Sequence, residues 1–137
     1  MFEAHGSFKA TIHKNVLLVD IIGPWNLETA IEYQHFIEEI TAPLVGFPWA
    51  MITDLYDWEL YTPDCYPIIH QLVNECIESG LQREAVVSPE KSVKRRPFQV
   101  YRAQYPQFTR TFFTQYDQAR QWLAGQNFIA PENYSRP

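Results

Sequence analysis

ITDLYDWELYTPDCYPIIHQLVNECIESGL, residues 52–81, decides the fold. The apolar run Ala50-Met51-Ile52 leads into it and ends at Asp54-Leu55, which reads as a buried strand. Thr62 followed by Pro63 marks a helix start. A threonine hydroxyl can accept an orphan backbone N–H, and proline at the first helical position sacrifices no hydrogen bond. Cys65, Ile69, Leu72, Val73 and Cys76 then fall on one stripe of a helix over 63–79, and Gly80 stops it. Asp57, Trp58, Glu59 and Tyr61 lie between strand end and helix start. In an open α/β sheet, ligands and partners dock at the carboxyl ends of the strands, so this acidic, aromatic loop is where function is expected.

Working outward, residues 6–13 alternate loosely, Lys14-Asn15 offers a turn, and Val16 to Ile22 is rich in β-branched residues. This predicts a hairpin, with Gly23-Pro24-Trp25 breaking its second strand. Asn26 is a good N-cap for a helix over 27–41, with Leu27, Ala30, Ile31, Ile37 and Ile40 on one stripe. Pro43, Gly46 and Pro48 mark the return to a strand over 49–55. Ala85-Val86-Val87 predicts a further buried strand over 83–88, closed by Pro89. Pro97 opens a short helix as far as Gln104, and 108–113 reads as the last strand. Thr114 with Asp117 three residues on is a capping-box-like start for a final helix carrying Ala119, Trp122 and Leu123. The expected architecture is α/β: a single mixed, mostly parallel five-stranded sheet with an N-terminal antiparallel hairpin and about four helices. Residues 1–125 form one domain, and 126–137 are expected to be a C-terminal tail.

With 137 residues, 46% hydrophobic and 15% aromatic, the chain suits one core. No apolar run approaches the roughly 20 residues that span a bilayer, and the opening Met-Phe-Glu-Ala-His lacks a secretory layout, so a cytoplasmic protein is expected. Cys65 and Cys76 sit roughly 16 Å apart along one helix, beyond disulfide reach, and read as small buried hydrophobes. The net charge of −5 splits unevenly, since residues 1–90 hold 14 acids and 3 bases and residues 91–137 hold 2 acids and 8 bases. Lys91, Lys94, Arg95 and Arg96, followed by Phe98, Tyr101 and Tyr105, mix base and aromatic. The acidic remainder of the chain would repel a phosphate backbone, so nucleic acid is not an expected partner, and a face paired with the acidic part of the fold or with an acidic protein fits better.

The words NVLLVDIIGPWN (15–26), WAMITDLYDWELYTPD (49–64) and FTQYDQARQWL (113–123), in this order of elements, resemble the STAS family. The match is to its small single-domain SpoIIAA-like (STAS/SEC14-like) branch, and it covers residues 6–124. The resemblance implies a regulatory or protein-binding domain akin to anti-sigma-factor antagonists, which are switched by phosphorylation where the helix after the third strand begins. The family's Asp-Ser-Ser-Gly-type word falls on Thr62-Pro63-Asp64-Cys65, with Asp64 in place of the acceptor serine. Thr62 is the remaining hydroxyl, well placed for a phosphate by the helix N-terminus, although its N-cap role alone accounts for it.

The resulting binding candidates are Trp25, Asp54, Asp57, Trp58, Glu59, Tyr61, Thr62 and Asp64. For Trp25 and Trp58 two readings stand: contact residues on an aromatic rim, or cover folded over the sheet edge. An apolar groove between them could admit a lipid or other hydrophobic small molecule, and apolar edges suit a homodimer. Asp54, Asp57, Glu59 and Asp64 have the oxygen chemistry for magnesium, but no phosphate-cradling motif accompanies them, and neither metal nor cofactor is expected. His70 lies about 140° around the helix from Cys65, and no nucleophile elbow, P-loop or dinucleotide turn occurs. The expected role is therefore non-enzymatic.

Overall fold

A computed structural model describes residues 3–100, 105–132 and 134. Strands β1 (Ser7–His13) and β2 (Val16–Trp25) form the expected antiparallel hairpin, turning at Lys14 with φ of 55°. Helix α1 (Leu27–Ile40) starts at Asn26, whose side chain accepts the Thr29 amide. Strand β3 (Trp49–Asp54) follows, then β4 (Trp58–Tyr61), α2 (Tyr66–Ser79), β5 (Leu81–Val87), the short α3 (Arg96–Val100), β6 (Thr109–Phe113) and α4 (Tyr116–Ala124). The sheet order is β1-β2-β3-β5-β6, with β4 also paired to β2; every pairing except β1 with β2 is parallel.

The sheet thus has six strands rather than five. Gly23-Pro24-Trp25 does not end β2 as expected, because β4 supplies a second partner beyond β3: Gly23 aligns with Trp58 and Trp25 with Tyr61. The Gly23 amide donates to Asp57 O at 2.7 Å and the Thr62 amide to Trp25 O at 2.9 Å. Pro24, which has no amide to donate, sits at the irregularity between those pairs, where a sheet tolerates proline.

The period-two alternation of the strands sorts the core into two layers. Leu17, Val19 and Ile21 pack with Met51 and Val86 under α1 and α2. Val16, Leu18, Ala50, Ile52, Ala85 and Val87 face α4. With both sheet faces covered, the central strands are apolar almost throughout, which explains their unbroken hydrophobic runs. Beyond Gly125, Phe128 and Ala130 are buried on the α4 side, and the Tyr116 and Tyr134 hydroxyls donate to Pro131 O and to Asp20.

Two helix starts differ from expectation. Thr62 holds the N-cap position of the 3-10 turn Pro63–Cys65 that leads into α2, with extended backbone, but its hydroxyl caps no amide. It donates instead to the Asp64 carboxylate at 2.5 Å, an acceptor two residues on that competes for it. At α4 the N-cap is Gln115, and Thr114 bonds Gln118 rather than closing a capping box. Of the helix expected to run from Pro97 to Gln104, α3 covers the first part, and residues 101–104 lie outside the described residues. Gly80 ends α2 as expected: at φ of 130°, an added Cβ would sit 2.1 Å from Phe47 O.

Candidate functional site

The carboxyl end of β2 and the strand β4 beside it bring Trp25, Trp58 and Tyr61 into one aromatic cluster. Tyr61 joins the two indoles, at 5.6 Å from Trp25 and 4.5 Å from Trp58. Trp25 and Trp58 are both buried. Trp25 is fixed by indole N–H bonds to Ser7 O and Ile22 O, and Trp58 packs edge-on against Phe98. Asp54 is buried too; it accepts the Tyr56 amide at 2.8 Å and, with Asp20 beside it in register, belongs to the α4 face.

Asp57, Glu59, Thr62 and Asp64 are exposed, and between them Leu60 is exposed as well. Leu60 has φ of 76°, in the left-handed region that disfavours a branched side chain. No glycine or asparagine at this position marks it in the sequence.

Beneath this rim lies a feature the sequence reading missed. Glu84 on β5 is in register with Arg110 on β6. The two form an ion pair at 2.6 Å with side-chain exposures of 3% and 9%. Thr53 Oγ1 donates to the other carboxylate oxygen at 2.7 Å, and Arg110 also donates to Phe98 O and lies over the Phe98 ring. Thr53 and Glu84 border a small void of about 30 Å³ between the sheet and helices α1 and α2, walled by Tyr33, Ile37, Ile69 and Cys76. Tyr61, Ile69, Val73 and Phe98 also line an outer cleft of about 20 Å³. Tyr66, His70 and Pro97 continue that cleft into an open groove bordered by Leu60, Val93 and Arg96. The groove, at about 410 Å³, is far roomier than the cleft or the void behind it. The available signal was an acid at the middle of the mostly buried β5, Glu84, and a single base near the start of β6, Arg110.

Burial pushes the Tyr33 and Tyr61 phenols up, and the Glu84 carboxylate adds to both shifts, so both remain O–H donors at neutral pH. Neither hydroxyl has a hydrogen-bond partner among the described residues. Burial, then Glu84, drives the Cys76 thiol to about 12, and burial raises Cys65, so both are thiols rather than nucleophilic thiolates. Among the described residues no group of three His, Cys, Asp or Glu side chains is placed to hold a metal ion. The basic segment is committed locally: Lys94 donates to Tyr56 O, while Arg95 holds Ser88 and Phe113 O, pinning the chain before α3 to the strand ends.

At the cleft mouth, burial and then the Arg110 charge pull the His70 imidazole below its ordinary value. The unfolded chain therefore takes up this proton first as the pH falls. Stability tied to neutral His70 is complete above the unfolded value of about 6.5 and is lost as the pH drops through it towards the lower folded value. His70→Gln is expected to flatten that part of the stability profile. Urea midpoints on either side of the range check it, and an unaltered slope in the variant counts against the assignment.

Among solved structures, the chain is similar to an uncharacterized protein with a SpoIIAA-like fold from Shewanella loihica, at a TM-score of 0.69 and 13% identity, over 90% of this chain and 98% of that one. It is also similar to an anti-sigma factor antagonist from Mycobacterium paratuberculosis, at a TM-score of 0.57 and 19% identity, over 87% of this chain and 94% of that one. No family model matches the sequence, and comparison with curated proteins gives no match. The chain has a STAS-like, SpoIIAA-like fold, as its sequence words imply. Among the described residues, no helix is long and apolar enough to cross a membrane.

Proposed function

We propose that this is a non-enzymatic, cytoplasmic regulatory domain that binds another protein through β4 and the start of α2. The observation that carries this reading is Leu60, an apolar residue held exposed at φ of 76° among exposed Asp57, Glu59, Thr62 and Asp64. A left-handed non-glycine residue costs about 1–2 kcal/mol, and such strain collects at contact sites. The acidic surround fits a basic partner, either a different protein or a basic patch on a second copy of the chain. Asp64, standing where the resemblance puts a phosphoacceptor, gives the α2 start a permanent negative charge. Thr62 is the hydroxyl left for modification, and a phosphate there would meet Asp64 at close range.

Leu60→Gly is expected to raise stability by about 1 kcal/mol by relieving the backbone, while the triple variant Asp57→Lys, Glu59→Lys, Leu60→Gly loses partner recovery in quantitative affinity capture. Equal recovery by the folded triple variant refutes the face. A second reading, binding of a hydrophobic small molecule or lipid, is favoured by the open groove of about 410 Å³ lined by Leu60, Tyr66, His70, Val93, Arg96 and Pro97. Native mass spectrometry of the purified protein tests it, because a carried molecule adds mass.

A further inference from the structure

We infer that the open groove between β4, the first turns of α2 and the start of α3 binds an anionic amphiphile, a carboxylate on an alkyl chain, with the chain along the apolar walls and the carboxylate on Arg96. The inference rests on the small-molecule reading and names its ligand class. At about 410 Å³ the groove falls within the range of roughly 300–1,000 Å³ typical of ligand pockets. Leu60, Val93, Pro97 and the Tyr66 ring make its walls apolar. Leu60 and Val93 are 37% and 60% exposed, so an alkyl chain laid there removes apolar surface of both partners from water.

Charge selects the head group. Arg96 is exposed and lines the groove, and its guanidinium has no hydrogen-bond or ion-pair partner among the described residues. Its neighbours in the basic segment are engaged elsewhere: Lys94 donates to Tyr56 O at 2.7 Å, while Arg95 donates to Ser88 Oγ at 2.6 Å and lies over the Phe112 ring. His70, the other nitrogen base in the lining, is pulled below its ordinary value by burial and is uncharged at neutral pH. Asp57, Glu59 and Asp64 are exposed close by in the chain, but none lines the groove. Among the described residues, the charge the lining presents is therefore that of Arg96. A guanidinium fork meets a carboxylate through two parallel hydrogen bonds, whereas a hydroxyl offers a weaker acceptor and an ammonium is repelled.

Three probes share one alkyl chain and differ only in the head: octanoate, octanol and octylammonium. NMR titration of the purified chain, followed at the His70 and Tyr66 ring resonances, is expected to rank octanoate above octanol by about fivefold, with octylammonium weakest. Added salt should shrink that preference, because Arg96 is exposed. Arg96→Gln should weaken octanoate by about fivefold and leave octanol unchanged. Val93→Glu, at an exposed position, places a carboxylate on the apolar wall and should weaken octanoate and octanol alike. Octanol or octylammonium binding as well as octanoate, or indifference to Arg96→Gln, overturns the ligand class while leaving hydrophobic binding in place. Binding that ignores Val93→Glu overturns the groove as its location. Absence of binding by every probe overturns the small-molecule reading together with the inference.

Discussion

Arg110→Met is expected to destabilise the protein by about 3–5 kcal/mol, because it strands Glu84 in the interior with one neutral partner. The Glu84 and Arg110 side chains are 3% and 9% exposed and meet at 2.6 Å, so the carboxylate has little access to water when its arginine is removed. Thr53 can still donate one hydrogen bond, which compensates for only part of the missing charge. Against a total stability of roughly 5–15 kcal/mol for an ordinary domain, that loss brings the variant close to unfolding. The double variant Glu84→Met, Arg110→Met should recover most of it, since an apolar pair of similar size avoids desolvating both charges. Urea unfolding of the single and double variants decides the matter. A single variant within about 1 kcal/mol of the parent would show that water reaches the pair.

If the double variant is as stable as the parent, the two charges add nothing to stability beyond what an apolar pair of similar size supplies. Glu84 and Arg110 come from adjacent parallel strands whose sequence positions are far apart, so only the register of β5 with β6 reveals that they meet. That is why the pair escaped a reading of local pattern. The hairpin, α1, β3 and α2 were legible because each is set by neighbouring residues: the Lys14-Asn15 turn, the Asn26 cap, the apolar run into Asp54, and the stripe from Cys65 to Cys76 closed by Gly80. Strand β4 was not. Its four residues show no alternation, and it exists because ten-residue β2 continues past its five register pairs with β3 and presents further backbone groups. The same extension decides how the rim is built. The aromatic residues of the loop turn inward as strand residues, the acidic ones stay outside, and Asp54 goes to the opposite face of the sheet.

The inward turn makes Trp58→Ala the other large effect, with an expected loss of about 3–5 kcal/mol. Trp58 is fully buried, contacts Tyr61 and Phe98, and stands in register with Gly23 at the point where β4 joins β2. Truncation removes the largest ring from that junction, and the sheet hydrogen bonds on either side limit how far the backbone can close the gap. Trp58→Phe should be much milder, within about 1.5 kcal/mol of the parent. The smaller ring loses packing, but it also removes an indole N–H that has no acceptor among the described residues. Both substitutions remove that unpaired N–H, so the variants differ in the cavity they leave, large for alanine and small for phenylalanine. Thermal and urea midpoints for the pair test this directly: equal losses would mean that ring volume does not set the energy of the junction. The same result fixes how partner experiments are to be interpreted. Lost capture by Trp58→Ala follows from a damaged β2–β4 junction, whereas lost capture by Asp57→Lys with Glu59→Lys, two exposed positions flanking that buried ring, follows from a changed surface.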